Sequence, residues 1–243
     1  MIELPKGMKA MSDEDVLTTL PDGQRILYRD KAHTYRRIEG DKSVALKSVT
    51  NLVSRCDGGS SDGLVKWAYN LGLQGIDPIE ARNAKGAIGT SVHAALEALA
   101  QGAIPDLEDF DEDTRGYVTA ICSWWLDEQP TPIDQEFIVA HPDLNYAGRV
   151  DLLLEINGES WLVDLKTSKS IDGPKFHTQM GLYALAMDAC GIGRPDRLAL
   201  LHAMPDGEFI FLESIVRDEH VVLMPRVVQA LDALNREQKK VTL

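Results

Sequence analysis

The sharpest alternation of apolar and polar positions runs from Val150 to Lys166 and turns back on itself at Asn157-Gly158. Asn-Gly between two apolar-rich runs is a strong hairpin signal, because a two-residue type I′ turn needs φ > 0 at both positions. With that turn, Ile156 pairs with Glu159, Leu154 with Trp161, Leu152 with Val163 and Asp151 with Asp164. Side chains alternate with period two, so Val150, Leu152, Leu154, Trp161, Val163 and Leu165 form a core face. Asp151, Asp164 and Lys166 share the opposite face. Directly opposed residues lie about 4.5–5.5 Å apart at Cβ, where like charges repel. A pair of carboxylates kept there asks for a positive charge between them, and a divalent cation is the simplest.

The same patterning predicts the other elements. Residues 1–20 read as a poorly ordered tail, and Arg25 to Glu39 as a short hairpin. Val49 to Val53 opens a short helix, Gly58 to Gly63 is a loop by composition, and Leu64 to Leu73 is a helix with Trp67 inward. Ile88, Val92, Leu96 and Leu99 give residues 87–101 a helical apolar face, beside a stripe of Gly89, His93 and Glu97. A helix over 113–128 buries Val118, Ile121, Trp125 and Leu126. Gln135 to His141 is a strand, and Pro142 to Asn145 turns the chain into the Asp151 strand. Residues 174–190 are helical with Pro174 in the first turn. Leu198 to Met204 and Phe209 to Leu212 are strands, and Pro225 to Glu237 is a closing helix. Helices, then a strand and hairpin, a helix and two more strands predict an α/β sandwich on a mixed sheet. No Gly-x-Gly-x-x-Gly follows a strand, which argues against a dinucleotide fold.

With 243 residues, 44% of them hydrophobic, the chain can bury one large core. No apolar run reaches the ~20 residues of a membrane span, and the start lacks the plan of a signal peptide. Cys56, Cys122 and Cys190 are far apart, which fits a reducing compartment. A cytoplasmic protein is expected. The net charge of −13 weighs against a nucleic-acid partner. The charge is uneven, however: residues 24–48 carry seven Arg and Lys against three acids, while Asp106 to Asp113 is an acidic run with the character of a solvated loop and helix start.

Four elements then fall in order: Gly89-x-x-x-His93, Gly148-Arg149-Val150-Asp151, Asp164-Leu165-Lys166 and Gln179-x-x-x-Tyr183. Together they resemble the PD-(D/E)XK nuclease superfamily, and within it small free-standing RecB-like exonucleases of the bacteriophage type. The resemblance is strongest over residues 85–190, with Ser48-Val49-Thr50 and Leu64-Val65-Lys66-Trp67 similar upstream. It implies a restriction-endonuclease-like core over 85–243, a mixed central sheet flanked by helices. Residues 21–84 would be a helical and hairpin extension facing DNA, and residues 1–20 a flexible tail.

It also implies roles. Asp151, Asp164, the Leu165 carbonyl and His93 would hold Mg2+ or Mn2+, hard oxygen ligands suiting either and the imidazole tilting toward Mn2+. Lys166 would hold or deprotonate the attacking water and offset charge in the transition state. Gln179 and Tyr183, one helical turn apart, would steady the site and contact the DNA backbone. Arg36, Arg37 and Arg149 are the remaining expected DNA contacts. Glu136 is an acid supporting the metal ligands from behind, a ligand to a second metal, or an exposed strand acid. The thiols for an iron–sulfur cluster are missing after Cys190, so none is expected.

The function expected is metal-dependent exonucleolytic hydrolysis of DNA in recombination, replication or repair, with recombination or replication proteins as further partners and an oligomer possible. A phage-encoded protein would act in the bacterial host cytoplasm. The alternatives are a structure-specific endonuclease and a catalytically silent nuclease-fold module that binds DNA or protein.

Overall fold

The computed structural model describes Pro5, Met8, Lys9, residues 11–56 and residues 62–241. Its strands are β1 (Val16–Thr19), β2 (Arg25–Arg29), β3 (Thr34–Glu39), β4 (Lys42–Ser48), β5 (Thr131–His141), β6 (Tyr146–Ile156), β7 (Glu159–Lys166), β8 (Arg197–Ala203) and β9 (Phe209–Glu213). Its helices are α1 (Val49–Cys56), α2 (Asp62–Leu73), α3 (Pro78–Ala100), α4 (Glu112–Glu128), α5 (Pro174–Ala189), α6 (Asp218–Val221) and α7 (Leu223–Val241). The strands form one nine-stranded mixed sheet in the order β1-β2-β3-β4-β6-β7-β8-β9, with β5 on the other edge of β6. This is the expected α/β architecture with a restriction-endonuclease-like core.

The Asn157-Gly158 hairpin forms as read. Both residues have positive φ, +54 and +82, and Ile156↔Glu159, Leu154↔Trp161 and Leu152↔Val163 are paired. Pairing stops there. One step further, Asp151 uses its side chain, Oδ2 accepting from the Leu165 N–H at 2.9 Å.

Alternation sorts the core into two layers. Leu153, Leu162 and Leu200 share one cluster with Leu52 of α1, Met180 of α5 and Val228 of α7. Leu152, Leu154, Val163 and Leu165 face α3 and α4, meeting Val92, Leu96, Ile121 and Trp124. Val150 departs from the predicted face and packs in the first layer. The backbone is irregular beside it: on β5, between the partners of Val150 and Leu152, Glu136 has φ +48.

Several elements run longer than the patterning shows. Val16–Thr19 is a strand paired with β2, not a tail, because its alternate positions are only half covered and give a weak signal. The helix of residues 87–101 begins at Pro78, capped by Asp77, whose side chain accepts from the Ile79 N–H at 2.7 Å. On α4 the deep residue is Trp124, fully buried, while Leu126 is 71% exposed. Of the Gly58–Gly63 loop, Asp62 and Gly63 belong to α2, and the rest lies outside the described residues.

The site is positioned by a fork in the sheet. One edge of β6 is paired with β5 over nearly its whole length. The other edge is shared: β4 takes Tyr146 and Ala147, and β7 takes Leu152 to Ile156. Gly148 to Asp151 lie in the gap between those two partners.

Candidate active site

Into that fork α5 sends Gln179 and Tyr183, both buried. They share a helix face because they are four residues apart. Gln179 Nε2 donates to Asp164 Oδ1 at 3.2 Å and to the Tyr183 hydroxyl at 3.1 Å. Gly148 makes the approach possible: a Cβ there would sit 2.4 Å from the Tyr183 ring. Burial, then the nearby Asp164 and Asp151, hold the Tyr183 phenol well above its usual pKa, so it enters the site as a neutral hydroxyl.

Asp164 is 2% exposed. Burial raises its pKa and Lys166 opposes that, with Asp151 adding to the rise. Lys166 forms an ion pair with Asp164 Oδ2. Burial works against its charge, but Asp164 and Asp151 more than offset this and its pKa is raised. The lysine therefore stands as a charged ammonium donor.

On the other side of Asp151, His93 of α3 places Nδ1 3.5 Å from Asp151 Oδ2. Glu136 completes a group: ligand atoms of His93, Glu136 and Asp151 all lie within 4.8 Å of one another. Burial, reinforced by Asp151, pushes the Glu136 pKa up to about 7, against the pull of Arg149. Two acids and an imidazole converging in a half-buried space, with Asp164 close enough to perturb Asp151's neighbours, fit a hard divalent cation; such a donor set suits Mg2+ or Mn2+. Leu165 lies between Asp164 and Lys166 with its side chain in the core and its N–H bound to Asp151.

A cavity of about 510 Å3 opens over these groups. Gly89, His93 and Glu97, the stripe seen in the sequence, line it together with Asp151, Asp164 and Lys166. Its further wall comes from the extension, through Tyr28, His33 and Tyr35. Tyr28 stacks on Tyr35 with ring centroids 4.8 Å apart, and its hydroxyl lies 3.0 Å from His33 Nδ1. Arg149 joins the two sides. It pairs with Glu136 at 2.6 Å and Asp30 at 3.5 Å, and lies 5.1 Å from the Tyr28 ring centroid.

The structure thus brings together His93, Glu136, Arg149, Asp151, Asp164, Lys166, Gln179 and Tyr183. Arg36 and Arg37 lie apart. Arg36 bonds Ser43, and Arg37 bonds Glu39, Gln24 and the Pro142 carbonyl. The sequence reading missed Tyr28, Asp30, His33 and Tyr35. The hairpin register sets Tyr28 opposite Tyr35, which alternation could have shown, but nothing local says that this hairpin borders β6.

The PD-(D/E)XK nuclease superfamily model matches residues 65–240. The chain belongs to this superfamily. No curated protein sequence matches this PD-(D/E)XK chain. Among solved structures it is similar to SSO0001, at 15% identity and TM-score 0.40, over 76% of this chain and 75% of that one. It is also similar to the alkaline exonuclease LHK-Exo from Laribacter hongkongensis, at 12% identity and TM-score 0.37, over 63% of this chain and 86% of that one. A structure of LHK-Exo in complex with dAMP matches at 12% identity and TM-score 0.40, over 81% and 94% of the two chains.

Proposed function

We propose that this PD-(D/E)XK protein is a divalent-metal-dependent deoxyribonuclease that hydrolyses phosphodiester bonds from DNA ends. One observation carries the reading: Asp151, Asp164 and Lys166 meet in one cavity with His93 and Glu136, within the span that the nuclease superfamily model matches.

His93, Glu136, Asp151 and Asp164 would hold Mg2+ or Mn2+, with the Leu165 carbonyl as a further ligand. Such an ion, when bound, lowers the pKa of its water and polarises a phosphoryl oxygen. The chain's own groups do the rest. The Lys166 ammonium, anchored by Asp164, donates to the attacking water or a non-bridging phosphate oxygen and offsets charge that grows in the transition state. Gln179 fixes the orientation of Asp164, and Tyr183 fixes Gln179 in turn. Arg149, already desolvated on one face by Tyr28, offers a guanidinium to a phosphate. The Tyr28, His33 and Tyr35 wall closes one side of the cavity, which favours a strand end over a continuous strand and so an exonuclease over an endonuclease.

The test is linear and covalently closed duplex DNA incubated with Mg2+ or Mn2+. Wild type degrades the linear form and spares the closed one, and Asp164→Ala leaves both intact. Equal degradation of linear DNA by both proteins would remove the assignment, and cutting of closed DNA would make the enzyme an endonuclease. The acidic net charge of −13 favours a second reading, a silent binding module, in which Mn2+ titration shows no heat that depends on Asp151.

A further inference from the structure

A second cavity, of about 1100 Å3, lies beside the first, and His93 and Lys166 line both. It slightly exceeds the roughly 300–1,000 Å3 of small-molecule sites, so it has room for more than a small ligand. Its lining includes the exposed first half of α3, the segment 167–169 after β7, and Tyr117 of α4 with Met204 after β8.

The middle segment is fixed in place. His202 on β8 stands opposite Lys166 in the parallel ladder and is 5% exposed. Its Nε2–H donates to the Ser168 carbonyl at 2.6 Å, while its Nδ1 is buried without a hydrogen-bond partner. Leaving a buried acceptor unmade costs stability. The imidazole is therefore poorly explained by packing alone and well explained by its grip on the segment that follows the lysine.

Two chemistries meet in this cavity. Lys85 and Lys169, both exposed, line the cavity with Lys166, the Lys85 ammonium lying 5.9 Å from the Trp67 ring centroid. Ala81, Ala84, Ile88, Tyr117 and Met204 add apolar and aromatic surface. A duplex presents mainly phosphate and sugar to such a surface, whereas an unpaired strand presents phosphates and base faces together. Asp113 and Asp206 also line the cavity and repel phosphate, which leaves the backbone track to the lysine side.

We propose that this cavity is a track for an unpaired DNA strand running to the acidic cluster, with Tyr117 as the stacking platform and Lys85 and Lys169 as phosphate contacts. The proposal rests on the deoxyribonuclease reading above and names its substrate as single-stranded at the approach to the site.

The experiment is fluorescence anisotropy of the full chain in chelator, with labelled oligo-dT and a blunt duplex of the same length. Tyr117→Ala weakens oligo-dT binding roughly tenfold and duplex binding by no more than about twofold, as expected for one lost base stack, while Tyr117→Phe keeps the wild-type affinity. Lys85→Gln and Lys169→Gln each lower the slope of log affinity against log salt for oligo-dT by about 0.7. These exposed lysines carry the test if Tyr117→Ala fails to fold. Equal losses on both DNAs, Phe behaving like Ala, or unchanged salt slopes overturn the track. If cleavage depends on Asp164 while these variants bind normally, the track falls and the nuclease stands. Selective loss of oligo-dT binding without any cleavage leaves the track standing and removes the nuclease.

Discussion

Glu136 is a non-glycine residue with φ +48 in the middle of a strand, a conformation that costs on the order of 1–3 kcal/mol and persists where the surroundings impose it. Here the surroundings are Arg149 at 2.6 Å and the ligand atoms of His93 and Asp151 within 4.8 Å. Strain and a candidate metal site thus coincide at one residue. We predict that Glu136→Gly raises the stability of the chelated protein by about 1 kcal/mol, since glycine takes this φ freely, and weakens Mn2+ binding at least about tenfold. Thermal melts and calorimetric titration measure the two effects; a destabilised variant with intact Mn2+ affinity would refute the assignment. Gly148 makes the opposite case. A methyl there meets the Tyr183 ring at 2.4 Å, so Gly148→Ala is expected to cost about 1–3 kcal/mol as overpacking and to lower activity through displaced Gln179. A chemical-denaturation midpoint equal to wild type would show that α5 yields without cost.

The elements were legible in proportion to how completely one face is covered. The hairpin of β6 and β7 could be registered residue by residue, because Asn157-Gly158 leaves one turn type and the strands are buried on both faces. The stripe of Gly89, His93 and Glu97 was legible for the same reason: a helical period puts the three on one line, and all three line the cavity. What was not legible depended on contacts between distant segments. The front half of α3 carries no buried residue before Val92, so no apolar period announces it. Trp124, rather than Trp125 or Leu126, is the deep residue of α4, because the helix's rotation is set by where it meets the turn after β8. Gly116 marks that meeting, where a Cβ would lie 1.8 Å from the Pro205 carbonyl oxygen. Helix propensity favours Gly116→Ala by roughly 1 kcal/mol. The backbone contact predicts the reverse, a net loss of about 2 kcal/mol or more, read from urea denaturation; a gain in stability would show that α4 and the β8–β9 turn part freely.

For the molecule as a whole, proton and cation compete for one cluster, and this couples stability to pH in an unusual direction. Most carboxylates in folded proteins gain partners and lose stability in acid. Glu136 does the opposite: burial and Asp151 push it from 4.5 to about 7, and Asp164 is also raised, by burial. In the metal-free protein the folded state therefore binds a proton that the unfolded state has released between pH 4.5 and 7. The contribution is full below pH 4.5 and is lost as pH rises through 7, on the order of 2 kcal/mol for Glu136. His141, whose pKa burial lowers, has the contrary sign near its usual 6.5, so the informative quantity is the difference between wild type and Glu136→Gln. In chelator, wild type is expected to lose stability relative to Glu136→Gln from pH 5 to 7.5. With Mn2+ the cation takes the place of the proton and stabilises the folded state by mass action, about 2.7 kcal/mol at a hundredfold excess over its dissociation constant. That stabilisation should grow over the same pH range and shrink in Glu136→Gln. Melting curves across pH 5–8, with and without Mn2+, decide the matter. If the two proteins run parallel in chelator and gain equally from the ion, Glu136 holds neither proton nor metal, and the cluster is confined to Asp151, Asp164 and His93.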